Sequence, residues 1–325
     1  MRMFTLLIPA LVFSSFSLAQ APASVTGDHI HSKGSWMFGY RYMFMDMDGH
    51  KTPNIRKVHD GHDHGEMHQE DPHEEIDHSK PHKHTMTMQM HMLEAMYGVT
   101  DDLTLMAMTN FLQNTMDHGA GFKTRNEGLG DTSLSALYRL YGDCHQESLI
   151  GGLGISFPTG DITQSDNYHS GKSHHPYHMA LGSGTFDLLP SLTYTQNDES
   201  IFWGVQGTGA IRLDDNTEGY KFGDKYVAQS WIGVPLAKGV SVTGRIAGTF
   251  QGDVRGRDRT ISATGAMWDP KQQESSVLEA GLGAQFGVSK GLRLGVELTA
   301  PLAEDIDYGV HERKWGVTLG LLGTL

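Results

Sequence analysis

The stretch Leu292-Arg293-Leu294-Gly295-Val296-Glu297-Leu298-Thr299-Ala300 decides the fold. Apolar side chains alternate strictly with arginine, glycine, glutamate and threonine, the period of a strand with one face in an apolar phase and one in water. The pattern recurs on either side of it. Leu278, Ala280, Leu282, Ala284 and Phe286 oppose Glu279, Gly281, Gly283 and Gln285, while Trp315, Val317, Leu319, Leu321 and Leu325 oppose Lys314, Gly316, Thr318 and Gly320. Further upstream Ile201, Trp203, Val205 and Ile211 oppose Gln206, Thr208 and Arg212.

A soluble β-sandwich also alternates, so the lengths of the links choose between the two. Strands are predicted over 35–46, 85–97, 103–115, 129–141, 147–157, 185–195, 200–212, 225–235, 239–250, 276–287, 291–301 and 312–325. Links are long after the odd strands and short after the even ones, as in Gly98-Val99-Thr100-Asp101, Gln196-Asn197-Asp198-Glu199 and Ser289-Lys290-Gly291. A sandwich has no reason to keep that asymmetry. An outer-membrane barrel does, with short periplasmic turns and long external loops. The expected fold is therefore all-β: a transmembrane antiparallel up-and-down β-barrel of about 12 strands over residues 35–325, with both termini on the periplasmic side.

The start of the chain agrees with export. Met1-Arg2-Met3 precedes an apolar run from Phe4 to Leu18, and Ser17-Leu18-Ala19 before Gln20 offers a small-residue cleavage site, so residues 1–19 read as a signal peptide. The run is shorter than the roughly 20 residues of a spanning helix. Residues 20–34 are expected to be a periplasmic segment ahead of the barrel, in the outer membrane of a Gram-negative bacterium among its lipids and lipopolysaccharide. A formal charge of −13 argues against nucleic acid, and the single Cys144 excludes an intramolecular disulfide.

The pieces Gly128-Leu129-Gly130-Asp131, Phe157-Pro158-Thr159-Gly160-Asp161 and Leu181-Gly182-Ser183-Gly184-Thr185-Phe186-Asp187 resemble recurring motifs of the outer-membrane family labelled "MetA-pathway of phenol degradation". The resemblance covers roughly residues 90–325. It implies a barrel passing small molecules, hydrophobic or aromatic ones among them, and brings no functional residues with it.

Two features depart from that family pattern. Ten histidines lie between His50 and His91, among them His59, His62, His64, His68, His73, His78, His82 and His84, interspersed with Asp60, Asp63, Glu66, Glu70, Asp71, Glu74, Glu75 and Asp77. So polar a stretch, 47–84, is predicted to be an extracellular loop. The i,i+2 pairs His62/His64 and His82/His84 put both imidazoles on one side of an extended chain, where carboxylates can complete a transition-metal site. A second cluster, His169, His174, His175 and His178, belongs to the third long loop on the same side.

The other feature is methionine. Met37, Met43, Met45, Met47, Met67, Met86, Met88, Met90, Met92, Met96, Met106, Met108 and Met116 are thirteen of the seventeen. Thioether sulfur selects Cu(I) or Ag(I) and imidazole suits Cu(II), Ni(II) and Zn(II), so the combination points to copper. A basic side chain on the lipid face costs roughly 2–4 kcal/mol at the bilayer midplane, so Met37, Met43 and Met45, which share a face with Arg41, should look into the lumen. Met106 and Met108, sharing theirs with Thr104, Asn110 and Asn114, should do the same. Met86, Met88, Met90, Met92 and Met96 accompany Glu94 but oppose Gln89 and His91, which leaves their face open; the lumen is preferred.

The lumen is further expected to carry Arg41, Asp131, Arg139, Asp187, Arg212, Arg245, Glu279, Arg293 and Glu297. Twelve strands leave room for a narrow pore or a plugged one, and mixed Arg and Glu could close the lumen as ion pairs. The leading expectation from these residues is a barrel that transports or handles metal ions, copper best of all. The alternative is a channel for small aromatic or hydrophobic compounds, with the histidine loop serving adhesion or divalent bridging to lipopolysaccharide. An outer-membrane hydrolase is a second alternative, although Gly-x-Ser-x-Gly, a P-loop and His-Glu-x-x-His are all missing.

Overall fold

A computed structural model describes residues 21–49, 84–118, 122–143, 146–168, 171–198, 200–263 and 265–325. The alternating segments become β1 (Trp36–Asp48), β2 (Thr85–Gly98), β3 (Leu103–Asp117), β4 (Lys123–Leu129 continued by Thr132–Gly142), β5 (Glu147–Phe157), β6 (Asp187–Asn197), β7 (Phe202–Arg212), β8 (Lys225–Ala237), β9 (Val240–Gln251), β10 (Ser275–Ser289), β11 (Leu292–Ile306) and β12 (Glu312–Thr324). Each strand pairs antiparallel with the next, and β12 pairs back onto β1 from Met37↔Thr324 to Asp48↔Glu312, so no edge is left open to lipid. This is a closed barrel of twelve strands, β4 being interrupted once at Gly130-Asp131.

The barrel is inside out relative to a soluble fold. Leu282 is 75% exposed on the outer face, whereas Glu297 is 0% and Arg245 6% exposed on the inner one. Such a distribution is stable only when the outer face meets hydrocarbon. Aromatic side chains mark the interfaces, with Trp36 against Tyr97 and Tyr194 against Trp203 toward the periplasmic end, and Phe44 against Trp315 toward the other. The protein resides in the bacterial outer membrane.

Three expectations change. The links after β3 and β11 are short, spanning 118–122 and 307–311, because β4 starts at Lys123 and β11 runs on to Ile306. β11 extends past Pro301, which lacks an N–H, by a break in register: Leu278 pairs with Ala303 and Glu279 with Pro301.

Residues 21–34, expected in the periplasm, lie instead inside the barrel, where Ala23, Val25 and Ile30 are buried. The third change concerns the external loops, which fold over the mouth as a cap. The hairpin of Ser165–Tyr168 with Gly171–His174 and the pairing of Tyr220–Lys221 with Arg255–Gly256 carry a core of Tyr177, Tyr220, Val254, Ile261, Ala263 and Trp268. Of the predicted loop 47–84, residues 47–48 belong to β1.

Candidate functional site

The lumen begins at the periplasmic end with the N-terminal segment, which is held by its backbone. Arg41 donates from Nε to the Ala23 carbonyl at 3.0 Å and Gln206 from Nε2 to the Thr26 carbonyl at 2.9 Å. Gln285 Nε2 reaches the Ala21 carbonyl at 3.2 Å, and the His31 N–H donates to Thr104 Oγ1 at 2.8 Å. Ser24 gives both its N–H, at 3.0 Å, and its hydroxyl, at 2.6 Å, to Glu297 Oε2. Five barrel strands therefore grip one segment, and Ile30 completes an apolar cluster with Met37, Met96, Met106, Leu137 and Ile150. The segment threads the lumen and obstructs its periplasmic half.

The predicted lumen charges meet as ion pairs. Arg41 pairs with Glu94, and Arg212 with Asp187. Arg245 bridges Glu297 at 2.6 Å and Glu279 at 2.7 Å, while Arg313 shares Glu279 at 2.9 Å. Paired in this way, charges withdrawn from bulk water are compensated. Arg293 lines a cavity of about 20 Å³, the size of one water, beside Asp28, His29 and Arg41.

Two residues expected in this set do other work. Arg139 lies near the periplasmic rim, donating from Nη2 to the Asp101 carbonyl at 2.8 Å. Asp131 sits at the break in β4, where the obligatory hydrogen-bonding of the loop claims both its carboxylate oxygens: Oδ1 accepts from the Gly160 N–H at 3.0 Å, and Oδ2 from the Ser183 N–H at 2.7 Å and hydroxyl at 2.8 Å.

Through Asp131 the three motif pieces converge on one anchor for the third external loop. Thr159 Oγ1 donates to the Gly130 carbonyl at 2.8 Å, and a Cβ at Gly160 would come within 2.6 Å of the Gly182 Cα, which is why both positions are glycine.

Above the ion pairs, one wall of the lumen is methionine. β2 turns the face carrying Glu94, 4% exposed, inward and leaves Leu93 57% exposed outside, which sets Met86, Met88, Met90, Met92 and Met96 on the lumen. The register pairs Met43 with Met90 and Met45 with Met88, and Met37, Met96 and Met106 share a level at the bottom. Met108 packs against that lower cluster. His84 is described just beyond β2; His59, His62, His64, His68, His73, His78 and His82 lie outside the described residues, as does His169.

His174, by contrast, is brought to carboxylates that its spacing could not announce. Its Nδ1 lies 2.8 Å from Asp258 Oδ2 and 2.9 Å from Thr260 Oγ1, with Glu218 completing a group whose ligand atoms lie within 4.8 Å of one another. Burial lowers the pKa of His175, which shares a hydrogen bond with Tyr168 at 2.8 Å. A concavity of about 850 Å³ on the outer face, lined by Gly207, Gly209, Tyr226, Ala228 and Phe250, faces lipid.

Fold, lumen and surface together define an outer-membrane β-barrel. Residues 86–301 match the family described as "MetA-pathway of phenol degradation", and the chain belongs to it. No curated protein matches the sequence. Among solved structures, the COG4313 outer membrane channel from Pseudomonas putida F1 is similar with a TM-score of 0.67 at 14% identity, covering 92% of this chain and 98% of that one. The translocator domain of autotransporter NalP from Neisseria meningitidis is similar with a TM-score of 0.47 at 11% identity, covering 91% and 89%.

Proposed function

We propose that the protein is an outer-membrane channel for small hydrophobic or aromatic compounds, occluded at rest by its own N-terminal segment. The observation that carries this reading is the inward strip of Met43, Met45, Met88, Met90 and Met92, all half-buried, between the mouth and the ion-paired level. Methionine is flexible and polarizable, and its sulfur makes favourable contacts with ring edges, which suits a wall that must receive apolar cargo of varied shape. The family's description, which names phenol degradation, favours the same cargo over the transported metal ion that the sequence first suggested. The reading is one of passage and not of catalysis. The hydrolase alternative has no local signature in the sequence, where Gly-x-Ser-x-Gly and His-Glu-x-x-His are missing.

Uptake of a labelled monoaromatic compound by cells lacking their major porins, with and without the protein, tests the proposal. Expression should accelerate uptake, and Met88→Gln with Met90→Gln, which makes the wall polar at nearly constant volume, should remove most of the gain. Uptake that is the same with and without the protein would refute it.

A further inference from the structure

The upper end of the methionine wall has a different composition from the rest. Met47 pairs across the sheet with Met86, and Met86 with Met116, so three thioethers lie in one inward row across β1, β2 and β3. From the cap above, Met179 and Met267 close on that row: Met86, Met116 and Met179 are buried together, with Met47 and Met267 packed against them. Met179 is fixed from below, its carbonyl accepting from Asn126 Nδ2 at 2.7 Å and Asn114 Nδ2 at 3.4 Å. Asn114 and Asn126 are 2% exposed, so the position of this loop methionine is specified by buried polar groups.

Beside it stands His178, its ring centroid 4.7 Å from that of His311. Both ring nitrogens of His178 are closed off from solvent, with the Gly309 backbone as a hydrogen-bonding neighbour of the ring. Buried polar atoms are nearly always hydrogen-bonded, so a ring nitrogen that Gly309 does not engage is open to a ligand. A second pair, His84 and His118, has ring centroids 5.5 Å apart at the tips of β2 and β3.

Apolar filling does not account for this composition. The cap core a few residues away is built of tyrosine, tryptophan, valine, isoleucine and alanine, and the lower lumen cluster mixes methionine with Ile30, Leu137 and Ile150. Among the clusters of the described residues, only here are all five packed side chains thioethers, and His178 directly precedes Met179 in the chain. Soft, neutral donors without a carboxylate select a soft monovalent cation, whereas zinc, magnesium and calcium prefer nitrogen with thiolate or oxygen.

We propose that Met47, Met86, Met116, Met179 and Met267, with His178, form a binding site for Cu(I) or Ag(I) at the extracellular mouth of the barrel. The proposal is independent of the cargo. Three donors belong to the barrel wall and three to the cap, so a bound ion ties the cap to the wall.

Silver ion serves as the probe, because it needs no reductant. The full-length protein, refolded in detergent and given one equivalent of Ag(I), is read by X-ray absorption at the silver edge and by competition with a chromogenic chelator. Sulfur scatterers are expected in the first shell. Met86→Leu and Met116→Leu, which conserve volume, and His178→Gln should each weaken binding by roughly tenfold. The paired change Met37→Leu with Met96→Leu in the lower cluster should leave affinity unchanged. A first shell without sulfur in the unaltered protein overturns the proposal, whether or not any variant folds; so does undiminished affinity in folded Met86→Leu and Met116→Leu.

Discussion

Arg245 of β9 meets Glu297 of β11 over the intervening β10 on the inner wall of the barrel, Nε to Oε1 at 2.6 Å, with the Glu297 side chain fully shielded from solvent. The other carboxylate oxygen of Glu297 takes the N–H and the hydroxyl of Ser24. One side chain therefore joins the ion pairs of the wall to the segment that obstructs the lumen.

Glu297→Gln should free the segment. It leaves Arg245 with Glu279 as its carboxylate partner and Gln229 as a neutral one, and reduces the acceptor for Ser24; removing one partner of a buried pair costs about 3–5 kcal/mol. Conductance in planar bilayers should rise, and a protease added from the periplasmic side should cut within residues 21–34. Ser24→Ala keeps the Arg245–Glu297 pair and should have a smaller effect. A Glu297→Gln barrel as resistive as the unaltered one would show that the segment is held elsewhere.

Acid should also loosen the segment, through His31. Burial, and then His29 beside it, hold the His31 pKa down to about 4 from 6.5. Between those values the docked segment binds fewer protons than the released one, so docking weakens as pH falls from about 6.5 to about 4. Asp28 behaves otherwise. Burial pushes its pKa up, but His29, a backbone hydrogen bond and Arg41 together outweigh burial and hold it at about 2, so its contribution is complete above 3.8 and lost only as pH falls through about 2. His29 is pulled down by burial and raised on balance by Asp28; its contribution is full below 6.5 and fades as pH rises through its raised value. Conductance should therefore increase between pH 6.5 and 4 in the unaltered protein and stay flat in His31→Asn. Equal responses from both would assign the effect to another group.

The anchor of the third loop gives a steric prediction. A Cβ at Gly182 would lie 2.3 Å from Asp131 Oδ1 and 2.8 Å from the Gly160 Cα, so the loop must shift. Gly182→Ala should cost about 1–3 kcal/mol and lower the temperature at which the barrel loses its compact electrophoretic mobility. Alanine at Gly207, on the lipid face with nothing within 4 Å of its Cβ, is the matched change expected to be silent.

What the sequence made legible, and what it hid, follows from the range of the forces. Leu292 to Ala300 disclosed a strand because a membrane imposes one rule on every residue of a wall, and Arg41 disclosed the inner face of β1 by the same rule. The docking of residues 21–34 was hidden because its bonds end on the carbonyls of Ala23, Val25 and Thr26, which every residue type offers alike.

Asp131 looked like one more lumen charge. That it holds a loop depends on Ser183, 52 residues away. Met179 and Met267 stand alone in their loops and carried no pattern, whereas Met86 and Met88 did.

The cap supplies the last test. Asp258, 3% exposed, accepts at Oδ1 from the Thr260 N–H at 2.8 Å and hydroxyl at 2.5 Å, and its Oδ2 meets His174, 84 residues earlier. Bonds to a carboxylate contribute about 1.5–3 kcal/mol each, and the one to His174 joins the third and fifth external loops. None of them touches the barrel ladder. Asp258→Asn should therefore separate two kinds of stability: limited proteolysis of intact cells should cut within 158–186 and 252–274 more readily, while the melting temperature of the barrel in detergent should not change. A lowered barrel melting temperature would mean that the cap braces the strands, and unchanged proteolysis would mean that the apolar core around Tyr177, Tyr220 and Trp268 holds the loops without this carboxylate.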